Sequence, residues 1–432
     1  MRNSVLLKRQ TIYYALYDWG NSAFATTIMA GFFPVFFKQY WSIGTDATVS
    51  TARLGFANAA AGLIIALLAP LLGAISDRGI HKLRFLLFFT LLGAAFSAGL
   101  CFVPPGYWLS AALVYVVATI GFIGSNLFSD ALLVDIAPPG QRELVSTFGY
   151  AAGYLGGGLL FALNVLMTLK PAFFGLTSAA QAVQISFLTV GVWWLIFGLP
   201  LQWCRPRVPP ATEKASVLIG AAFCQLRTTL RHVRAYRPVA YFLLAYWMYI
   251  DGVHTIIKMA VDYGLSLGLG SNSLITALLI TQFVGFPAAL AFGWLAGKVG
   301  ALKMIRVAIL VYLGVTIYAA FLDSAFEFYL LAIIIGLVQG GIQALSRAFF
   351  ANLIPVGKSA EFFGFYNMVG KFAAIIGPAL VGLTGLFARQ VGLTETSATR
   401  VGISSVALMF VAGWLLLGVA TRESGQEHTY EE

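Results

Sequence analysis

Apolar positions in this chain neither alternate with polar ones nor recur as stripes beside charged faces. They form long runs broken by short polar clusters, prolines and basic residues. A helix crosses a bilayer with about 20 mostly apolar residues. Twelve runs meet that length: 11–37, 54–75, 85–103, 108–134, 144–168, 184–203, 239–262, 273–296, 302–322, 326–352, 362–387 and 400–420. Continuous runs, rather than ten-residue alternations, predict helices and not a barrel. The first run carries Asp18 and continues to Phe37, so it reads as a retained span and not a cleaved leader.

Composition turns that pattern into a requirement. The chain has 432 residues, 59% hydrophobic and only 10% charged, with 35 Phe. A water-soluble globule of this size lacks the interior to hide so much apolar surface. Lipid is therefore the solvent, and a disordered chain, a disulfide-stapled module and a nucleic-acid binder are excluded. The three cysteines, Cys101, Cys204 and Cys224, have no metal-site spacing, and no cofactor or metal is expected.

The net charge of +10 matters less than where the charges fall. Of the 27 Lys and Arg, nineteen lie at the termini or in the loops on their side, five in the opposite loops and three within spans. Cytoplasmic loops collect basic residues, so both termini are expected in the cytoplasm. The expected division is a bundle of six helices over 1–203, a linker over 204–238 and a second bundle over 239–432. Within the linker, Phe223, Leu226, Leu230 and Val233 share one face, and Arg227, Arg231 and Arg234 another. That pattern fits a basic helix lying on anionic lipid, and also a solvated linker.

The halves repeat one another. GSNLFSDALLVDIAPPGQRELVSTFGYAAG (124–153) aligns without gaps on GIQALSRAFFANLIPVGKSAEFFGFYNMVG (341–370), and GAISDR (73–78) falls on GWLAGK (293–298). Two six-helix repeats related by an axis along the membrane normal predict an all-α membrane protein with the major facilitator fold. Gly73, Asp77 and Arg78 match the loop between spans 2 and 3 of that superfamily, with the second glycine displaced to Gly79. YDWGNSAF (17–24), FGYAAGYLGG (148–157), YIDGVHTI (249–256), GGIQALSR (340–347) and EFFGFYNMVGKFAAIIGP (361–378) resemble its vacuole-effluxer branch. That branch includes the autophagy-related vacuolar amino-acid exporters and bacterial relatives. The resemblance implies transport of amino acids, with export as the direction, in a bacterial inner membrane.

An ionisable side chain at mid-helix costs roughly 2.5–3.5 kcal/mol on insertion scales, so each needs a partner, a cavity or water. Span 1 aligns Tyr14, Asp18 and Asn21 on one face, and span 7 aligns Trp247, Asp251, His254 and Lys258. With Gln343 and Lys371 these are the candidates for binding solute or proton. Asp18 and Asp251 capping local backbone is the plainer alternative. Asp130 and Arg347 occupy equivalent repeat positions with opposite signs, each eight residues before a proline. With Asp77, Arg78 and Asp135 they are the candidates for a cytoplasmic gate. The alternative is a static neutralisation of Arg78 and Arg84 by Asp130 or Asp135. Gly149, Gly153 and Gly157 form a stripe suited to close helix packing.

Acids in the first half and mostly bases in the second suit a zwitterion, for which an amino acid is the simplest case. The expected protein is a monomeric secondary transporter in contact with lipid, moving a small polar solute by alternating access, with protons as the candidate coupling ion. A multidrug or lipid exporter of the same fold is the alternative. An enzyme is not expected. Tyr17-Asp18 matches a fragment of the intramembrane aspartyl-protease signature, but at Gly268-Leu269-Gly270-Ser271 a serine stands where the second acid is needed. No phosphate-binding loop motif for ATP occurs.

Overall fold

The computed structural model describes residues 5–45, 47–78, 82–204, 237–266, 270–354 and 357–427. The linker between 205 and 236 lies outside the described residues, as do the side chains of Arg78, Lys258 and Lys371. The long apolar runs are helices: α1 Arg9–Trp41, α2 Ala47–Arg78, α3 Lys82–Gly99, α4 Trp108–Ile136, α5 Arg142–Leu169 and α6 Ala179–Gly198. In the second half follow α7 Arg237–Ser266, α8 Ser271–Val299, α9 Ala301–Ala319, α10 Ala325–Leu353 and α11 Ser359–Gln390. The last, α12, has two segments, Glu395–Ser405 and Ala407–Glu427.

Ten of these are long and apolar enough to cross a membrane, counted among the described residues. The other two, α7 and α11, are 30 and 32 residues long and include residues whose side chains lie outside those described. The set is compatible with the twelve expected spans. Large apolar side chains such as Phe88, Leu113, Trp294 and Leu415 are exposed on the outside, as lipid requires.

The internal repeat is structural. Gly140 and Gly357 both take positive φ, 78° and 83°, in the turns after α4 and α10. A side chain is strained there, which is why both halves carry glycine. Ser324 and Glu327 form a reciprocal capping box that starts α10. In α1, Phe24–Phe32 and Phe37–Trp41 are wound more loosely, with i→i+5 bonding.

Within the halves, α1 packs on α5 and α6, α3 on α4, α8 on α10, and α7 on α11 and α12. The glycine stripe of α5 meets α1 directly. A Cβ on Gly157 would lie 2.9 Å from Thr26 Oγ1 and 3.1 Å from Ser22 O. Between halves, α2 meets α11, and α5 meets α8 and α10. The α2–α11 approach is tight at one end only. A Cβ on Gly364 would come within 2.7 Å of Ala69 O, whereas Gly55, Gly62 and Gly382 have nothing within 4 Å. The halves are thus closed at the end bearing Arg9, Lys82 and Arg142, here called the basic end, and these two helices part towards the other.

Overpacking a tight interface costs about 1–3 kcal/mol. Gly157→Leu should lower the melting temperature in detergent clearly, while Gly62→Ala should leave it unchanged or raise it. Equal melting of both variants would contradict the packing described.

Candidate functional site

Arg347, on α10, lies at the centre of the contact between halves. Its Nη1 is 3.0 Å from Asp130 Oδ1 on α4, and its Nη2 is 3.4 Å from Asp18 Oδ2 on α1. Its Nε donates to Ser146 Oγ at 2.9 Å, and Nη2 also donates to the Ser146 carbonyl at 3.1 Å. The guanidinium sits over the rings of Tyr150, at 4.5 Å, and Tyr14, at 5.3 Å. Asn367 of α11 donates to the second Asp130 oxygen at 3.3 Å. Only a planar fork of five donors makes all these bonds from one side chain. The Arg347 side chain is 4% exposed and the two Asp side chains 13%. In so dry a setting, removing one partner strands the other and costs about 3–5 kcal/mol.

A second layer closes the basic end. Asp77 accepts the backbone N–H groups of Ala360 at 3.2 Å and Glu361 at 2.8 Å, in the first turn of α11. A carboxylate at a helix N-terminus answers both the unpaired donors and the helix dipole. Lys82 bonds Asp135 at 2.8 Å, lies 3.8 Å from Asp77 and donates to Ser359 Oγ at 2.6 Å. Arg142 donates to the Ala351 carbonyl at 2.6 Å, near the C-terminal end of α10. Ser146 Oγ donates to Ala344 O at 2.7 Å, and Asn352 to Glu143 at 2.8 Å.

The sequence candidates therefore separate. Asp18, expected to bind solute, and Asp130 and Arg347, expected to gate, form one cluster with Tyr14 against it. Asp135 pairs with Lys82, and Arg84, which the static alternative would have neutralised, is exposed. Asn21 ties α1 to α4, bonding Tyr17 at 2.7 Å and Asn126 at 2.5 Å. Asp251 stands apart. Fully buried, it accepts the Gly377 N–H at 3.1 Å on both oxygens, just before Pro378 breaks the α11 ladder. Trp247 and His254 are half-buried on α7, and Gln343 bonds the Gln339 carbonyl at 3.3 Å. For Lys258, Lys371 and Arg78 the expected side-chain roles lie outside the described residues. Among the described residues no group of His, Cys, Asp or Glu is placed to hold a metal.

Ser146, Lys82 and Arg142 were not among the candidates. Ser146 carries no sequence signal, since its role is fixed by an arginine 201 residues away. Lys82 and Arg142 have one, as cations at the starts of α3 and α5, just after the short connections from α2 and α4.

A cavity of about 200 Å³ lies in the second bundle against α1, between Thr26, Gln282 and Gln339 at one end and Tyr263, Leu322 and Phe328 at the other. Among its described lining no side chain is ionised. Asp18, Asp130 and Arg347 pair with one another at the contact between halves and do not line this cavity. Thr26 is eight residues beyond Asp18, and Gln339 eight before Arg347. The cavity thus begins about 12 Å from the ion cluster along both helices, at 1.5 Å per residue.

Two repeated helical halves meeting at a polar cluster, with apolar surfaces all round, are those of a multi-pass major facilitator secondary transporter. The solved human organic anion transporter MFSD10 superposes with a TM-score of 0.68 at 14% identity, over 95% of this chain and 99% of that one. The family model described as vacuole effluxer Atg22 like matches residues 45–139 and 137–429. The chain belongs to that family. It is 38% identical to the MFS-type transporter YxiO of Bacillus subtilis, over 97% of this chain and 96% of the relative. It is 24% identical to autophagy-related protein 22 of Coccidioides immitis, over 74% of this chain and 65% of the relative. The chain thus spans just under two thirds of that fungal protein's length. These relatives are transporters, not enzymes.

The fork geometry predicts that Arg347→Lys fails almost as completely as Arg347→Gln, because one ammonium cannot reach Ser146, Asp130 and Asp18 together. In thermal unfolding, Arg347→Gln with Asp130→Asn should lose about 1–3 kcal/mol less than the two single variants added. Strict additivity would remove the pair from the account.

Proposed function

We propose that this protein exports a small zwitterion, an amino acid being the simplest, across the bacterial cytoplasmic membrane by alternating access. One observation carries the reading: Arg347 of the second half is clamped between Asp18 and Asp130 of the first. When the halves part at the basic end, the clamp opens and leaves a cation on one wall and carboxylates on the other. A solute with its own carboxylate and ammonium replaces both lost partners, so occupancy removes the cost of opening. An uncharged solute offers no such exchange.

The units that move are the bundle over 1–203 and the bundle over 239–432, joined by the linker at 204–238. The basic end faces the cytoplasm, in accord with its share of Lys and Arg. Asp77, Lys82, Asp135 and Arg142 form the outer bolts of the gate there, with Arg78 beside them in sequence. Protons are the coupling ion. Among the described side chains of the cluster one cation faces two carboxylates, and a proton taken up by either carboxylate weakens its hold on Arg347. Asp251, His254, Lys258, Gln343 and Lys371 belong to the solute path on this reading, and the chain acts as a monomer in lipid. The description of the matching family model, vacuole effluxer Atg22 like, adds support for efflux.

A second reading, export of amphipathic or lipid-like molecules, is favoured by the neutral, largely apolar lining of the cavity. Flux into proteoliposomes separates the two. Amino acids should move and compete with one another, and a pH gradient should change the rate. Asp18→Asn and Asp130→Asn should each lose the dependence on the gradient. Flux of hydrophobic cations without any amino-acid flux would overturn the first reading in favour of the second.

A further inference from the structure

The cavity in the second bundle is not consumed by the ion cluster, and its shape has a specific origin. Four helices of the second bundle each present one alanine to it, Ala260 on α7, Ala277 on α8, Ala319 on α9 and Ala332 on α10, and α1 adds Ala25 and Ala30. Leucine at any of these positions would take up much of the space. At the end nearest the ion cluster the lining is polar but neutral, with Thr26, Thr281, Gln282 and Gln339. There the Gln282 amide donates to Thr26 Oγ1 at 2.7 Å, joining the second bundle to α1. The rest of the wall is mostly apolar, with Ile256, Leu274, Phe328 and Leu331 among it. An engineered cavity of about 150 Å³ with such a lining stays dry and binds benzene, so one of about 200 Å³ holds roughly eight non-hydrogen atoms.

We propose that, once the ion cluster has re-paired, this cavity receives the apolar body of the transported solute, that Gln282 and Gln339 then hold the polar end of that solute, and that the alanines of the second bundle set the largest body accepted. The inference rests on the reading of the chain as a carrier of a small zwitterion, and it adds a size rule and the residues that impose it. Among the described lining, no side chain at the apolar end answers a charge. Each methylene moved from water into such a wall contributes about 0.8 kcal/mol, which is roughly fourfold in affinity. The gain ends where the wall ends.

Two measurements test this in the full-length protein. The first is competition against transport by a homologous series of straight-chain 2-amino acids. Potency should rise about fourfold per methylene and then fall once the side chain passes roughly eight carbons. Ala332→Leu should move that limit down by about three carbons, the size of the added group. Where Ala332→Leu does not reach the membrane, Ala277→Leu serves. A limit that stays in place in these variants, or no limit at all, overturns the proposal.

The second measurement needs no transported solute. Ala332→Cys, in a protein whose native cysteines are replaced by serine, is labelled with alkyl methanethiosulfonates of rising chain length. Short reagents should react and long ones should not. Reaction with none, or with all equally, overturns the pocket. If the labelling limit is present while no amino acid is carried, the pocket stands and the zwitterion reading falls.

Discussion

A charge held in an apolar interior must find its opposite, and here that constraint joins the two halves of the molecule. Arg347 belongs to the second bundle, but both carboxylates that neutralise it come from the first. Neither half is electrically self-sufficient at this position. The pairing also explains the company the arginine keeps. Ser146 supplies an acceptor oxygen, two tyrosine rings cover the face of the guanidinium, and Asn367 occupies the remaining Asp130 oxygen. A buried ion pair is worth having only when such extra bonds satisfy its remaining donors and acceptors.

The same logic operates with helix ends in place of side chains at the basic end. α11 begins against Asp77, an anion beside exposed N–H groups, and α10 finishes against Arg142, a cation beside exposed carbonyls. Both partners come from the first half, so the dipoles of two second-half helices are completed across the divide. Each such contact is modest, about 0.3–2 kcal/mol, and that suits a closure that must reopen. A contact of hydrophobic-core strength would hold the molecule in one state, because a population shifts only by the difference in free energy that a ligand supplies.

Much of the architecture was legible because lipid leaves a chain few options. Apolar runs of bilayer length can only be helices or a closed barrel, and the ends of α4, α5 and α10 fall within two residues of the positions expected from the runs. The repeat was legible because turn glycines are constrained by backbone geometry, as at Gly140 and Gly357. The opposite signs of Asp130 and Arg347 at equivalent positions pointed to a pair, and they are one. What the sequence concealed was company over long range. Nothing local to Asp18 says that it shares the same arginine, and nothing local to Asp251 says that it holds a backbone amide 126 residues away. Helical spacing fixes which face a side chain shares, but which neighbouring helix meets that face is decided by packing.

That distinction bears on where chemistry is to be sought in such a fold. Polar stripes at helical spacing were expected to bind solute or proton, and the acid of one of them, Asp18, is drawn into the contact between halves. An ionised group gains more from a fixed partner than from partial hydration beside apolar walls. In a closed state the charged residues therefore mark the gate, and the space beyond it is left to neutral amides, hydroxyls and aliphatic groups, as in the lining around Gln282 and Gln339. On the proposed cycle opening reverses the assignment: the carboxylates and the guanidinium lose their partners and become the wall a solute meets. On that proposal a residue such as Asp18 serves both ends of one cycle, first as a partner of Arg347 and then as a partner of the solute.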